Sequence, residues 1–340
     1  MANRKPRSAA KGRVTMQQVA DAAGTSMISV SRAFRGSPLV TPALRARIET
    51  VARQLGYVPD RAASALASAR SMNVAVLIPS ITNMVFVDLL AGIDEVLSPR
   101  RYQMIMAAND YAPAEELRLL RGLLAFRPDG VLLTGIDQLP ETLALLADQA
   151  LPAVHMMELN PAPGTHSVGF SQEAGGAAIA RHFIDRGYRR LGFAAAQLDP
   201  RTLARGRGFA AAIAQAGLPA PHERLVPERS SIALGAALLD RMLADQPDIE
   251  AIFFCNDDLA QGALFQCQRR GIEVPAALAI AGFNDLPASA WTSPALTTVT
   301  TPRGEIGRHA AALLVQLMTG NPSPTRPLDL GFTLQVRQSS

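Results

Sequence analysis

Six short polar stretches carry the side chains best suited to binding chemistry: residues 79–86, 134–137, 157–160, 197–207, 256–257 and 284–285. They supply the guanidinium groups of Arg201, Arg205 and Arg207, the amides of Asn83, Asn256 and Asn284, the Ser80 hydroxyl and the Phe86 ring. A cation set among fixed amides and hydroxyls is what a polyhydroxylated carboxylate requires. Guanidinium pairs bidentately with a carboxylate, and an amide both donates to and accepts from neighbouring hydroxyls. Phe86 would lend an apolar face to the carbon skeleton, and Asp257 can cap a helix or touch the ligand. Catalysis has no comparable signature, because no P-loop or dinucleotide G-x-G-x-x-G follows an apolar run and no nucleophile stands beside a base at motif spacing. Cys255 and Cys267 have no neighbouring Cys or His at zinc spacing and read as reduced packing residues, so neither metal nor cofactor is expected.

The elements that must position these groups are legible as alternating apolar runs and helical segments. Strands are expected at 74–78, 104–107, 131–133, 154–156, 191–194, 252–255 and 279–283. Helices are expected at 86–97, 114–126, 139–147, 174–185, 203–216, 233–243 and 259–270. Such alternation means parallel sheets covered by helices, here about seven strands forming two doubly wound lobes. Open sheets of this kind bind ligands beyond the carboxyl ends of their strands, which places the polar stretches around a cleft between the lobes.

The amino-terminal fifth differs in both charge and pattern. Residues 1–71 hold twelve Arg or Lys against three acids, a net charge of +9 in a chain whose total is +4, so the remainder carries −5. A basic head on a mildly acidic body is the electrostatic footprint of a nucleic-acid-binding module. Residues 1–13 lack apolar periodicity and read as a disordered basic tail. Thr15 and Gln18 form a capping box ahead of Val19, Ala20 and Ala23, and Gly24 ends that helix. Ser26 can cap a second helix with Val30, Ala33 and Phe34 inward, the short Gly-containing turn between the two being what a helix-turn-helix needs. Thr41-Pro42 opens a third, with Leu44, Ile48, Val51 and Leu55 inward. The segment 60–67 can form a helix but has too little apolar surface to be stable by itself.

A 340-residue chain with 48% hydrophobic and 18% charged residues can bury a large core and is not a disordered polymer. Its apolar runs break well short of the ~20 residues that span a bilayer. The segment MANRKPRSAAKGRVT has no apolar stretch before a small-residue cleavage site, so a cytoplasmic location is expected.

The runs VTMQQVADAAGTSMISVSRAFRG and VTPALRARIETVARQLGYVPDRAASALAS resemble the DNA-binding head of the lactose/galactose repressor family, and the similarity continues through nearly the whole chain. Within that family LIPSITNMVF, CNDDLAQGALFQCQRRGIEVPAALAIAGF and LDLGFTL look most like gluconate-operon repressors. The resemblance implies a small all-α helix-turn-helix head followed by an α/β two-lobed periplasmic-binding-protein-like core with parallel sheets. It implies a helix-turn-helix domain at 14–59, a hinge helix at 60–72 and an effector-binding and dimerisation domain at 73–340. The first lobe would comprise 73–168 and 301–323 and the second 169–300 and 324–340, with crossings near Gly169, Thr300 and Pro324.

By the same resemblance Met27, Ile28 and Arg32 form the base-reading face, Leu66 wedges into the minor groove, and Thr15, Ser26, Ser31 and Arg61 complete the DNA-binding set. Arg32 can donate bidentately to guanine, whereas Met27 and Ile28 can make only apolar contacts, such as with thymine methyls, where a polar pair is more common in the family. Ser26, Ser29 and Ser31 can reach phosphate or simply cap and face solvent. In the body the implied effector-binding set is Ser80, Asn83, Phe86, Arg205, Asn256 and Asn284. Arg205 matches the family arginine that holds the effector, with Arg201 or Arg207 as substitutes. Asn284 stands where many members have an acid, and an uncharged amide repels an anion less. Glu158 matches a family acid only loosely.

The implied function is a DNA-binding transcriptional repressor of sugar-acid catabolism genes, released from a pseudo-palindromic double-stranded operator by gluconate or 2-ketogluconate. Cleft closure would turn the first lobe against its dimer mate and cost the hinge helix its order on DNA. A homodimer is expected, because the residues after Leu334 are too few for a helical tetramerisation tail. The alternatives are a co-repressor type whose effector promotes DNA binding, a solute-binding protein and a sugar-active enzyme.

Overall fold

The structure, a computed structural model, describes residues 14–34, 36–58, 70–321 and 326–340. The chain divides into two compact units, Met1–Ser71 and Met72–Ser340.

The first unit contains α1 (Met16–Ala22), α2 (Met27–Phe34) and α3 (Pro42–Leu55). Thr15 Oγ1 accepts from the Gln18 backbone at 3.3 Å while Gln18 Oε1 accepts from the Thr15 amide at 2.8 Å, the reciprocal capping box. Ser26 Oγ accepts from the Ser29 amide at 3.2 Å and starts α2. Thr41 caps α3 at Leu44, Pro42 fills its first turn, and Gly56 closes it in the left-handed region at φ 70°. Val19, Ala20, Ala23, Val30, Ala33, Val40, Ile48 and Ala52 make the core. Leu55, expected inward, is exposed; it ends α3 beyond Ala52, the last residue of that helix in the core.

The second unit runs β1 (Asn73–Ile78), α4 (Val85–Leu97), β2 (Gln103–Ala108), α5 (Pro113–Leu124), β3 (Gly130–Thr134), α6 (Pro140–Asp148), β4 (Ala153–Met156) and β5 (Ser167–Gly169). It continues through α7 (Gln172–Asp185), β6 (Leu191–Ala196), α8 (Pro200–Gln215), β7 (His222–Val226), α9 (Ile232–Asp245), β8 (Ala251–Phe254), α10 (Asp257–Arg270) and β9 (Ala279–Ala281). The last elements are β10 (Thr298–Thr300), α11 (Arg303–Met318), β11 (Leu328–Asp329) and β12 (Thr333–Gln335). One parallel sheet has the order β11-β5-β4-β3-β1-β2 and a second the order β7-β6-β8-β9. These are the sheets of two lobes, and all seven expected strands fall in them.

Three features depart from expectation. The strands β5, β7, β10, β11 and β12 and the helix α11 were not among the expected elements. β10 and β12 pair antiparallel, an exception to the all-parallel pattern. The last crossing follows Asp329 rather than falling near Pro324, because β11 pairs with β5 in the first lobe's sheet before β12 joins β10.

Helices of neighbouring pairs approach closely through reciprocal glycines. A Cβ on Gly176 would overlap the carbonyl of Arg205, and one on Gly208 the carbonyl of Glu173, so α7 and α8 touch backbone to backbone. Gly92 with Gly307 and Gly235 with Gly262 do the same for α4 with α11 and α9 with α10.

Candidate functional site

In the first unit, Thr15, Ser26, Met27, Ile28 and Arg32 are exposed and Ser31 is half-buried. Met27 is 47% and Ile28 61% exposed, adjacent apolar side chains at the start of α2. The opposite face of the helix, Val30 and Ala33, is in the core. The hydroxyls of Thr15 and Ser26 are engaged as helix caps. Arg61 and Leu66 lie outside the described residues.

In the second unit the carboxyl ends of both parallel sheets face one cleft, as the strand-end rule requires. Its outer cavity, about 200 Å³, is lined by Ser80, Asn83, Asn256 and Asn284 among others. An inner cavity of about 40 Å³ is lined by Asn83, Phe86, Arg205, Asn256 and Asn284. All six sequence-expected residues thus come together. Arg207 is exposed on α8 and points elsewhere than Arg205, which is 6% exposed.

Arg205 is fixed on four sides. Its Nε donates to Gln172 Oε1 at 2.8 Å, and its Nη1 donates to Cys255 O at 2.7 Å and Asn256 Oδ1 at 2.9 Å. Its guanidinium lies 4.0 Å from the centre of the Phe283 ring. No acidic side chain is ion-paired with it among the described residues, and burial lowers its pKa from the ordinary arginine value. A buried cation without a counter-ion is poised to take an anion. Asn284 Nδ2 donates to Asn256 Oδ1 at 3.3 Å, leaving its buried Oδ1 without a partner and ready to accept from a hydroxyl.

Arg201 has the opposite environment. Its Nη1 meets Asp137 Oδ1 and Glu158 Oε2, each at 3.2 Å, and its Nε meets Asp199 Oδ1 at 3.0 Å. Burial works against its charge, but these three carboxylates hold its pKa above the ordinary value. Asp137 and Glu158 follow strands of the first lobe and Arg201 belongs to the second, so this side chain ties the lobes together and is not available as the free cation. Gly135, with φ 85°, leaves the room its Nη1 occupies. Burial, with Asp137 second, pushes Glu116 up to about 7, and its Oε1 is buried without a partner. Asp110 pairs with Arg229 across the cleft mouth, and Arg303 bonds both Asp88 and the carbonyl of Asn284.

Asp257 is neither helix cap nor ligand contact. It is fully buried and accepts from Thr298 Oγ1 at 2.6 Å, Leu286 N at 2.6 Å and Ser289 Oγ at 2.8 Å, pinning the segments after β9. Burial raises it to about 6. Cys255 and Cys267 are buried and free.

Gln197 and Asp199, within the expected stretch 197–207, also line the cleft, and so do Tyr111, Gln172, Arg229 and Ser230, which escaped sequence reasoning. The strand-end rule applied to β2 reaches Tyr111, whose hydroxyl accepts from Asn83 Nδ2 at 3.0 Å. Arg229 and Ser230 follow β7, a strand not expected. Left-handed backbone at non-glycine residues gathers here, at Asp110, Tyr111, Met157, Gln197, Asn284 and Asp285, as strain at functional sites does. Among the described residues no cluster could hold a metal ion, and no helix is long and apolar enough to cross a membrane.

Two family models match the chain: bacterial regulatory proteins of the lacI family over residues 15–60, and a periplasmic binding protein-like domain over 180–340. The HTH-type transcriptional regulator GntR of Pseudomonas aeruginosa is 46% identical over 97% of this chain and 96% of its own length. The crystal structure of transcription regulator GntR from Chromobacterium violaceum is 51% identical with TM-score 0.77, covering 79% of this chain and all but 1% of that one, 99%. A LacI-family transcriptional regulator from Silicibacter pomeroyi is 32% identical with TM-score 0.88 over 96% of this chain and 99% of the other.

Proposed function

Because the chain belongs to the lacI family of bacterial regulatory proteins and is a DNA-binding transcriptional regulator, we propose that it represses genes of sugar-acid catabolism and leaves its operator when gluconate or 2-ketogluconate fills the cleft. The observation that carries this reading is Arg205, a buried guanidinium without an acidic partner among the described residues, set among the amides of Gln172, Asn256 and Asn284. The carboxylate of the acid pairs with Arg205, the free Asn284 Oδ1 accepts from a hydroxyl, and Phe86 lies against the carbon chain. Arg32, Met27 and Ile28 read base edges in the major groove, with Thr15, Ser26, Ser31 and Arg61 on the backbone and Leu66 in the minor groove. Two copies read the two halves of a pseudo-palindrome. Closure around the acid shifts the population towards a state that no longer orders the hinge on DNA.

Calorimetric titration with gluconate, 2-ketogluconate and neutral galactose tests the effector class, with Arg205→Ala as the control and a thermal melt to show that the variant folds. One acid should bind selectively and lose that binding in the variant. Binding of galactose alone would overturn the sugar-acid reading. Fluorescence anisotropy with a selected operator then gives the sign of coupling: release by the acid is expected, and tighter binding would make the protein a co-repressor type instead.

A further inference from the structure

The charges around the cleft are unevenly matched. Among the described residues three arginines line its cavities, and two of them are already neutralised: Arg201 by Asp137, Glu158 and Asp199, and Arg229 by Asp110. Arg205 alone has no acidic partner among the described residues. The acids are in surplus. At the inner end Glu116 joins Asp137 beside the Arg201 guanidinium, in a recess of about 10 Å³ whose Glu116 Oε1 and nearby Gln138 Oε1 both lack a donor among the described residues. At the mouth Asp258 lines the outer cavity, and no cation pairs with it among the described residues.

We propose that the cleft selects on the number of carboxylates, admitting a polyhydroxy acid charged at one end and rejecting the same carbon chain oxidised to a carboxylate at both ends. Whichever way the chain lies from Arg205, its far end meets carboxylates. Towards Arg201 it meets the surplus acids of the inner recess and their unfilled acceptors, and towards the mouth it meets Asp258 and the Asp110–Arg229 pair. A terminal hydroxyl donates to such groups, whereas a second carboxylate has no proton to give and is repelled in a partly desolvated site. Discrimination therefore comes from repulsion built against the wrong ligand as much as from attraction to the right one. Arg201 acts here as a positioning residue that gathers the acids and leaves no second cation free.

The proposal rests on the sugar-acid reading, and the test separates the two. The full-length protein is titrated calorimetrically at pH 8 with gluconate and with glucarate, which share a six-carbon polyol chain and differ in one terminal carboxylate. Glucarate should bind at least about tenfold more weakly, the scale of a lost or repelled charge contact. Asp258→Asn removes the unpaired acid at the mouth and Asp110→Asn releases Arg229, so the double variant should narrow the gap about fivefold or more; thermal melts check its fold. Glucarate binding within threefold of gluconate would overturn the proposal and leave the sugar-acid reading standing. An unchanged gap in the double variant, together with an unchanged gap in Asp137→Asn, would overturn the assignment of the rejection to these acids. Failure of both acids to bind would overturn the proposal along with the reading beneath it.

Discussion

Glu116 is a side chain whose ionisation costs the fold near neutral pH, since it is buried, with Asp137 close by, and sits at about 7 against an ordinary 4.5. Asn109 Nδ2 donates to it at 3.0 Å, and the charge of Arg201 also favours its ionised form. The native state holds this proton more tightly than the unfolded chain does, so the stabilisation is complete below pH 4.5 and is lost as pH rises through 7. Glu116→Gln should therefore gain stability relative to the parent between pH 5 and pH 8, by up to about 3 kcal/mol, as the difference in denaturant midpoints at the two values will show. Base reading belongs to the same scale. Arg32→Ala should cost roughly 1–3 kcal/mol of operator affinity, whereas Met27→Ala should matter chiefly at A·T pairs; gel shifts with thymine and uracil operators distinguish the two. The stretches that hold the effector candidates could be read from sequence because each follows a strand end, whereas Arg205 and Asn256 are singled out within them by the family resemblance. What could not be read was how the residues of these stretches pair, which no local pattern reveals: Arg201 finds Asp137 across 64 positions and Glu158 across 43, and Asp257 finds Thr298 across 41.

Helix pairs joined by reciprocal glycines make the second unit intolerant at predictable points. Gly208→Ala places a methyl in the carbonyl of Glu173, and neither backbone can move without shifting its helix. It should destabilise by about 1–3 kcal/mol or more, seen as a lower denaturant midpoint. Gly176→Ala pushes directly on the backbone of Arg205, so effector affinity should fall further than the loss of stability would suggest. Helices of several turns and strands that are unbroken apolar runs were legible because their pattern is marked, even where a strand is as short as β9. β10, β11 and β12 have three, two and three residues and mix polar with apolar side chains, so none stands out as an apolar run. β7 carries His222, Glu223 and Arg224 in its first three positions, and an edge strand this polar looks like a loop. α11 is a different case: Ile306, Ala310 and Leu314 recur every fourth residue and are fully buried, so its helix was present in the pattern and its absence from the expected set reflects no physical obstacle.

At the scale of the molecule, the head of charge +9 and the body of −5 divide the labour of binding. Operator affinity should fall about a thousandfold between 50 and 200 mM salt, for about six phosphate contacts, while affinity for a sugar acid held by buried Arg205 should change far less; anisotropy and calorimetry across the same salt series compare them. The chain enters the second lobe after β5, returns at α11 and leaves again after β11. Consequently no single cut in the gene isolates a lobe. A truncation after residue 169 would strip the first sheet of β11 and the strands β3 and β4 of the helix that packs on them. Grafting another regulator's ligand preference onto this chain by exchanging one lobe would thus require two segments moved together, or a circular permutant whose new termini lie at a crossing. Point substitution around the cleft is the shorter evolutionary route to a new ligand preference.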